Sequence, residues 1–309
     1  RKKEENSGGG MGKRYKKSSG KVLDCFLPGM IHLDGKRGLY PAISLTGRKC
    51  MLGCLHCKGF LLEDMIPARG PGELVRILKE LEEKGMKGAL ISGGCDPAGR
   101  IPWEKFLPVL YGIETQLFLS CHTGMVVDRK TAELMRLSGI RQALIDVVGD
   151  EETLREIYRL PSLSLLENSL SNLFECGPEV VPHVVVGINR GKIKGEFKAL
   201  ELLERWNPSL VVLVVIMPGP HKFPSPPVDE VVEVFREARE KFKNLSLGCA
   251  RPRGRYRYEL EERLLEEGLV DRIAIWSERC INKAKEMGYR IRYHLTCCSV
   301  PVDSKTWKK

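Results

Sequence analysis

The sequence predicts an α/β protein built as one (β/α)8 barrel. Short apolar runs of strand length alternate along the chain with longer segments whose apolar residues recur at helical spacing. Eight such units in strict alternation favour a parallel sheet that closes into a barrel, because right-handed crossovers of this kind close most simply at eight strands. An open, doubly wound sheet is the alternative.

The predicted elements follow one another as strand and then helix. In chain order the strand segments are PAISLTG, GALISGG, LFLSCHTG, QALIDVVG, VVPHVVVGIN, SLVVLVVIMPG, LSLGCARPRG and RIAIWS. The helical segments between them are PGELVRILKELEEKG, PWEKFLPVLYGIE, RKTAELMRLSG, ETLREIYRL with SLLENSLSNLFECG, EFKALELLERWN, DEVVEVFREAREKFKN and ELEERLLEEG. Several begin at Pro or Asp and end at Gly, which are the usual start and stop signals of helices. A last helix, SERCINKAKEMG, leads to a terminal strand, YRIRYHLT.

The charge distribution argues against a nucleic-acid partner. The formal net charge is +10, but residues 1–20 hold seven Lys or Arg and only two Glu. This Gly/Ser-rich segment is predicted to be a disordered basic tail. Along the rest of the chain basic and acidic residues alternate, as on ordinary solvated helix faces. We therefore predict one barrel domain over residues 21–302, with N- and C-terminal extensions over the barrel mouth, and a short tail over residues 303–309.

The apolar runs are too short for a membrane protein. None reaches the roughly 18 to 20 residues that a spanning helix needs, and the N-terminus lacks the apolar core of a secretory signal. We therefore expect a cytoplasmic protein without a membrane partner. Eleven cysteines in that compartment favour metal or redox chemistry over disulfides.

Three of the cysteines stand close together directly after the first predicted strand. In GRKCMLGCLHCKG, Cys50, Cys54 and Cys57 have C-x3-C-x2-C spacing. Three thiolates in one loop can hold three irons of a [4Fe–4S] cluster and leave the fourth iron open. A zinc site is the structural alternative, although structural zinc sites usually have a fourth protein ligand.

This motif, placed after the first strand of an α/β barrel, resembles that of the radical S-adenosylmethionine (SAM) enzymes. The resemblance implies that the open iron binds the amino and carboxylate groups of SAM. It also implies that one-electron reduction then yields a 5′-deoxyadenosyl radical, which abstracts hydrogen from an unactivated C–H bond.

The same resemblance assigns further residues to SAM. Gly93 and Gly94 match the glycine pair that presents backbone groups to the methionine amine, although Cys95 stands where the family often has Glu. His56 occupies the position before the third cysteine that is usually aromatic and near the adenine. Asp146, at the end of strand four, is a candidate acceptor for a ribose hydroxyl, or else a helix N-cap. The family's G-x-I-x-G element, which meets the adenine, is matched by Gly191, Ile193 and Gly195.

Longer stretches are similar to the archaeal-type, two-component lipoyl synthases, which are relatives of biotin synthase. These stretches include YPAISLTGRKCMLGCLHCKGFLLEDMIPA, ISGGCDPAGRIP, HTGMVVDRKTAELM, DVVGDEETLREIY, LGCARPRGRYR and TCCS, and the resemblance spans residues 22–302. It implies sulfur insertion into an octanoyl chain on a lysine of a lipoyl-carrier protein or peptide. It further implies an auxiliary [4Fe–4S] cluster as sulfur donor and a second radical SAM subunit as partner.

Candidate ligands for the auxiliary cluster come from the other cysteines. Cys249 ends strand seven, and Cys297 and Cys298 follow the terminal strand, which could fold back over the same mouth. Cys25 is a candidate fourth ligand, and Cys95 is held in reserve. A free cysteine is also a common small buried hydrophobe. We assign that role to Cys121, Cys176 and Cys280.

Two further side chains are candidates for catalysis or substrate binding. Arg251, in CARPRG beyond strand seven, could bind a carboxylate, a peptide carbonyl or the cluster edge, since a guanidinium is a fixed fork of donors. Pairing with an acidic loop residue is the alternative role for Arg251. His122, in SCHTGM, could donate to or accept from SAM or substrate.

Three functional hypotheses follow from the sequence. The first is a radical SAM lipoyl synthase subunit. The second is another radical SAM enzyme that acts on a small molecule without sulfur transfer, in which the extra thiols are structural. The third is a non-enzymatic iron–sulfur or zinc module that binds a partner through its basic face.

Overall fold

The computed structural model describes residues 20–33, 35–219 and 222–302. Within these ranges the strands are β1 Val22–Phe26, β2 His32–Leu33, β3 Lys36–Arg37, β4 Ala42–Ser44, β5 Ile66–Pro67, β6 Gly88–Ser92, β7 Phe118–His122, β8 Gln142–Asp146, β9 Glu179–Val186, β10 Val211–Val215, β11 Leu245–Leu247, β12 Arg272–Ala274 and β13 Arg290–His294. The helices are α1 Pro71–Glu83, α2 Leu107–Tyr111, α3 Arg129–Leu137, α4 Glu151–Glu156, α5 Leu163–Cys176, α6 Glu196–Glu204, α7 Val228–Lys241, α8 Arg255–Glu266 and α9 Glu278–Glu286. Apart from Gly20, the tails predicted over residues 1–20 and 303–309 lie outside the described residues.

Eleven of these strands form one curled parallel sheet. Its order is β13, β1, β12, β11, β10, β9, β8, β7, β6, β4, β5. Each of the eight predicted strand segments contains one strand, namely β4 and β6 to β12, and the predicted terminal strand contains β13. Of the nine helices in the described residues, five lie within predicted helical segments, α4, α5 and α7 begin one residue earlier, and α8 begins four residues earlier. The predicted alternation of strands and helices is therefore confirmed for the described residues.

The sheet differs from the predicted barrel because it is an open half-barrel of eleven strands. Its edges are β5 and β13, and among the described residues no strand pairing joins them. The N-terminal segment is not an extension over the mouth but strand β1, which lies between β12 and β13. Asp24 is opposite Arg272 on one side and Arg292 on the other. The run VLDCF has a charged residue at its centre, so it does not look like a continuous apolar strand in the sequence.

Side chains alternate between two faces of the sheet, as the pleat requires. Along β10, Val211, Leu213 and Val215 belong to the outer core that packs against the helices. Val212 and Val214 belong to a second, inner cluster on the concave face. Outer residues are supported by amphipathic helices such as α1, whose buried positions recur at helical spacing. No helix in the described ranges is long and apolar enough to cross a membrane.

The chain after β13 runs inside the half-barrel. Cys298 packs in the inner cluster with Val212 and Val214. Two residues later, Val300 packs against Tyr40, which precedes β4, and against Phe118, the first residue of β7. This C-terminal segment, residues 295–302, therefore fills the lower part of the interior. The sequence analysis predicted an extension over the mouth, and this prediction is corrected.

Candidate functional site

The loop that carries the first three cysteines runs from β4 towards β5 and is tied to two other segments. The carbonyl of Cys95, just beyond β6, accepts the backbone N–H groups of Met51 at 2.8 Å and Leu52 at 3.2 Å. The N–H of Leu55 donates to the carbonyl of Ile157, beyond α4, at 2.8 Å. The loop is thus held from both sides at the C-terminal ends of the strands, where this class of fold places its active site.

The glycine pair at the end of β6 lies directly under this loop. A Cβ at Gly94 would overlap the carbonyl oxygen of Lys49 and lie 2.6 Å from the Cα of Cys50. The N–H of Gly94 donates to the hydroxyl of Thr46 at 2.7 Å. Gly93 is less confined, because its nearest neighbour would be 3.3 Å from a Cβ. Gly94 therefore has to be glycine so that the cysteine loop can approach β6.

The three thiols of the loop lie within electrostatic range of one another. Burial raises the pKa of the Cys54 thiol, and neighbouring Cys57, Cys50 and Cys95 raise it further. Burial also raises the pKa of Cys57. Without a metal these two thiols are protonated at neutral pH, so iron binding would release their protons.

The donors on this loop are thiols, which are the usual protein ligands of an iron–sulfur cluster. In the described ranges, no group of three His, Cys, Asp or Glu residues is gathered closely enough to hold one metal ion. A [4Fe–4S] cube is wider than one ion and is bound by thiolates spread around it. Three half-buried thiols on a loop held over a glycine match that requirement.

Asp146 ends β8 next to the cysteine loop. Its carboxylate accepts the hydroxyl of Tyr158 at 3.1 Å, and burial raises its pKa to about 6. The carbonyl of Tyr158 accepts the Cys54 thiol at 3.6 Å, and its ring lies 4.8 Å from that of His56. The N-cap of α4 is Asp150, so Asp146 caps no helix. Asp146 is therefore a half-buried acceptor beside the thiols, and Tyr158 is a neighbour that the sequence did not reveal.

Two neutral histidines line the concave face beside Asp146. His122 ends β7, and its Nδ1 lies 3.4 Å from the hydroxyl of Ser92. His183 on β9 meets His122 edge to face at 6.2 Å. Burial lowers the pKa of His122 to about 4 and that of His183 to about 3. Because the Nδ1 of His183 lies 3.1 Å from the carbonyl of Val181, that nitrogen carries the proton and Nε2 is left as an acceptor.

The G-x-I-x-G element forms the loop between β9 and α6. A Cβ at Gly191 would lie 2.9 Å from the Pro224 ring, and one at Gly195 would lie 3.0 Å from the backbone nitrogen of Asp150. Ile193 is partly buried against the outer core. Both glycines are thus explained by close packing, and the contact of this element with adenine stays a prediction.

Cys249, Cys297 and Cys298 come together on the concave face. Burial raises the pKa of the Cys249 thiol to about 11, and nearby Cys297 adds to the rise. Cys249 is nevertheless exposed, which is consistent with a thiol that is surrounded by protein but borders open space inside the half-barrel. The thiol of Cys298 donates to that of Cys297, lowering the pKa of Cys297 and raising its own. Ser246, on β11, also interacts with the Cys298 thiol.

Cys25 does not join this second group. It is fully buried in the outer core, and its thiol interacts with Glu261 and Cys280 on the helical side. The next residue, Phe26, packs with Cys298 on the inner side. Because adjacent strand residues point to opposite faces, Cys25 faces away from the auxiliary group, and its prediction as a fourth ligand is corrected.

Arg251 does not reach the barrel mouth either. Its guanidinium is buried and donates to Glu261 at 2.5 Å, to the carbonyl of Gly248 at 2.7 Å and to the carbonyl of Ile275 at 2.8 Å. Glu261 also accepts the hydroxyl of Ser277. Of the two roles that the sequence left open, pairing with an acidic residue is the one the structure contains. Arg251 fixes the segment that carries Cys249 through these bonds.

A large open cavity lies beside the cysteine loop. Its volume is about 1370 Å³, and its lining includes Arg48, Lys49 and Met51 from the loop, together with Cys95 and Phe106. It borders the cysteine loop on one side. None of the residues of the second cysteine group lines it.

Comparisons with known proteins locate the fold. No protein-family model and no curated protein sequence matches the chain. HydG, a maturase of the [FeFe]-hydrogenase, superposes with a TM-score of 0.59 at 14% identity, over 88% of this chain and 64% of HydG. SuiB from Streptococcus suis bound to S-adenosylmethionine gives 0.53 at 14% identity, over 77% of this chain and 58% of SuiB. The HMG-CoA lyase from Bacillus subtilis gives 0.50 at 12% identity, over 91% of this chain and 90% of the lyase.

These similarities concern the fold. The chain spans less than two thirds of HydG and of SuiB. Sequence identities this low show a shared fold but not a shared reaction. The function therefore has to be inferred from the two groups of cysteines and their surroundings.

Proposed function

We propose that this chain is a radical SAM enzyme of the lipoyl synthase type, which inserts sulfur into an octanoyl chain carried on a lysine of a carrier protein. One observation carries the proposal: the half-barrel has two separate groups of three cysteines. One group lies on the loop after β4, and the other lies inside, between the end of β11 and the C-terminal segment. SuiB, which shares the fold, binds S-adenosylmethionine, and this supports the radical SAM part of the proposal.

The first part of the proposal, radical formation, uses the cysteine loop and the ends of β6 and β8. Cys50, Cys54 and Cys57 would hold a [4Fe–4S] cluster that, with SAM bound, supplies one-electron cleavage of SAM and a radical able to abstract hydrogen. Asp146 would accept a ribose hydroxyl, and the Tyr158 hydroxyl holds its carboxylate in place. This role for Asp146 requires an acceptor at neutral pH, and a pKa of about 6 leaves it ionised there.

The second part of the proposal, substrate binding, uses the apolar concave face. Leu144, Val181 and Val214 belong to an inner apolar cluster on this face, and an acyl chain would bind beside this cluster. His122 and His183 are neutral, so they can bind polar groups without placing a charge beside a radical. An octanoyl chain on a lysine would be bound by an apolar surface of this kind, with polar side chains near its end.

The third part of the proposal, the auxiliary cluster, uses the C-terminal segment. Cys249, Cys297 and Cys298 would hold a second [4Fe–4S] cluster, which would supply the inserted sulfur. Three protein thiolates leave one iron of that cluster for another ligand, since Cys25 faces the outer core. In a two-component system each subunit installs one sulfur, so we propose a second radical SAM subunit as partner.

Iron and sulfide quantitation with Mössbauer spectroscopy tests the proposal. After anaerobic reconstitution we expect about eight irons per chain in the wild type, and about four in each of two triple variants. One variant changes Cys50, Cys54 and Cys57 to Ala; the other changes Cys249, Cys297 and Cys298 to Ala. A Cys280→Ala variant, in the outer core, is the matched control and should keep both clusters. A wild type with only one cluster would overturn sulfur insertion.

Another radical SAM reaction without sulfur transfer is the second candidate. It is favoured by the burial of Cys298, which is 3% exposed and packed among apolar side chains, as a structural cysteine would be. Cys249→Ala and Cys298→Ala separate the two candidates. Under sulfur insertion both variants keep SAM cleavage and lose the sulfurated product. Absence of reductive SAM cleavage by the wild type would instead favour a non-enzymatic module.

A further inference from the structure

Cys95 lies beside the first group of cysteines and not beside the second. Its carbonyl accepts the N–H of Met51 at 2.8 Å and the N–H of Leu52 at 3.2 Å, and the thiol of Cys50 approaches the same oxygen at 3.8 Å. The cysteine loop is therefore in direct contact with the backbone of Cys95. This removes Cys95 from the reserve for the auxiliary cluster and places a fourth cysteine at the radical site.

The thiol of Cys95 is influenced by the other cysteines of the loop. Burial raises the pKa of the Cys95 thiol, and neighbouring Cys50 and Cys57 raise it further, whereas a hydrogen bond with the backbone of Met125 lowers it. Cys54 in turn responds to Cys95. Cys95 is half-buried and borders the large cavity beside the loop, so its side chain has room to change position. A fourth cysteine thus lies beside Cys50, although a cluster that binds SAM needs only three protein thiolates.

We propose that the Cys95 thiolate binds the iron that Cys50, Cys54 and Cys57 leave open whenever SAM is absent. This inference rests on the radical SAM half of the proposed function and does not depend on sulfur insertion. SAM binding then becomes a ligand exchange. The bond between iron and the Cys95 sulfur breaks, the amino and carboxylate groups of SAM take its place, and the released thiolate takes up a proton from solvent. No electron is transferred in this exchange.

Such an arrangement protects the cluster between turnovers. An iron without a protein ligand is the one that a [4Fe–4S] cube loses on oxidation, which leaves a [3Fe–4S] cluster. An iron held by a fourth thiolate is retained. The exchange also lowers the apparent affinity for SAM, because each binding event must break an iron–sulfur bond.

Oxidative conversion of the cluster tests the inference directly. The parent is the Cys249/Cys297/Cys298→Ala variant, which removes the auxiliary group and leaves one cluster to observe. After ferricyanide treatment without SAM, the electron paramagnetic resonance signal of [3Fe–4S] should be weak in the parent and several-fold stronger after Cys95→Ala. The SAM dissociation constant should fall roughly tenfold in the same variant. Cys176→Ala, on the helical surface, is the matched control and should change neither.

A second measurement needs no variant. In the reconstituted wild type, alkylation of Cys95 followed by mass spectrometry should be slow without SAM and faster once SAM is added, because SAM releases the thiol. Equal [3Fe–4S] yields with and without Cys95, or alkylation that SAM does not accelerate, would overturn the inference. A parent that binds no cluster at all would overturn the radical SAM proposal itself, so the two failures are distinguishable.

Discussion

Arg251 and Glu261 form an ion pair that water barely reaches. Their side chains are 2% and 0% exposed. Removing one partner would leave the other charge buried without compensation. We expect Arg251→Ala to lower the free energy of unfolding by about 3 to 5 kcal/mol in urea denaturation.

The surface pair of Arg263 with Asp229, whose side chains are 30% and 85% exposed, is the control for that measurement. Arg263→Ala should change stability by about 1 kcal/mol or less, because exposed ion pairs contribute little. Equal effects in the two variants would contradict the structural role of Arg251 and reopen a ligand-binding role.

Asp146 makes stability depend on pH. Burial raises its pKa from 3.8 to about 6, so the folded state prefers the protonated carboxyl. Its favourable contribution is present below about pH 4 and is lost as the pH rises through 6. The difference is of the order of 3 kcal/mol.

Asp146→Asn cannot ionise, so its stability relative to wild type should rise between pH 5 and pH 7.5 in urea unfolding of the cluster-free protein. Asp64→Asn, at an exposed position, serves as the comparison and should run parallel to wild type. Parallel curves for Asp146→Asn as well would mean that its carboxyl does not titrate as the geometry requires.

At the scale of elements, β13 is attached to the sheet through β1. Asp24 accepts two bonds from Arg292, at 2.8 and 2.7 Å, and one from His294 at 2.7 Å. Burial opposes ionisation of Asp24, but the bonds from His294 and Arg292 prevail and lower its pKa. The stabilisation is therefore present above the ordinary pKa of 3.8 and is lost as the pH falls below it.

We expect Asp24→Asn to loosen β13 selectively. Hydrogen exchange at pH 7 should show roughly tenfold or greater loss of protection for the β13 amides, since bonds to a buried charge contribute about 1.5 to 3 kcal/mol. Amides of the central pair β8 and β9 should keep their protection. Uniform loss over the whole sheet would argue against a local role.

The elements show where sequence reasoning works. Strands such as β10 are continuous apolar runs between helical segments, so both their position and their parallel pairing are predictable. β1 is not predictable in this way, because Asp24 interrupts its apolar run and its neutralising partners lie 268 and 270 residues away. Arg251 illustrates the same limit: its partner is ten residues away on α8, and nothing local reveals the pairing.

The candidate site also contains some residues that can be predicted from the sequence and others that cannot. The loop cysteines are recognisable because all three ligands lie within one short loop. His183 was missed because a single histidine within VVPHVVVGIN looks like an ordinary buried residue, and only the pleat shows that it shares the concave face with His122. The grouping of Cys249 with Cys297 depends on a C-terminal segment that enters the interior, which local pattern does not encode.

At the scale of the whole molecule, residues from distant strands hold the C-terminal segment in place. Arg272 on β12 donates to the carbonyls of Cys298 and Val300, each at 3.0 Å. Gln142 on β8 donates to the carbonyl of Ser299 at 3.0 Å. Three successive carbonyls are thus fixed from opposite sides of the half-barrel.

We expect Arg272→Gln to free this segment. Mass-spectrometric labelling of Cys297 and Cys298 with a maleimide should accelerate about tenfold or more in the cluster-free protein, because two buried acceptors lose a charged donor. Labelling of Cys50 should not change, and Arg290→Gln, on the exposed side of β13, is the matched control. Unchanged labelling of Cys297 would show that packing alone holds the segment.

The position of β1 between β12 and β13 also has a consequence for how the chain is made. Val22 emerges from the ribosome long before Arg290, yet the two are paired in the sheet. The first strand must therefore wait, without its neighbours in the sheet, until β12 and β13 have been synthesised. The second group of cysteines can assemble only after the C-terminal segment with Cys297 and Cys298 has followed β13.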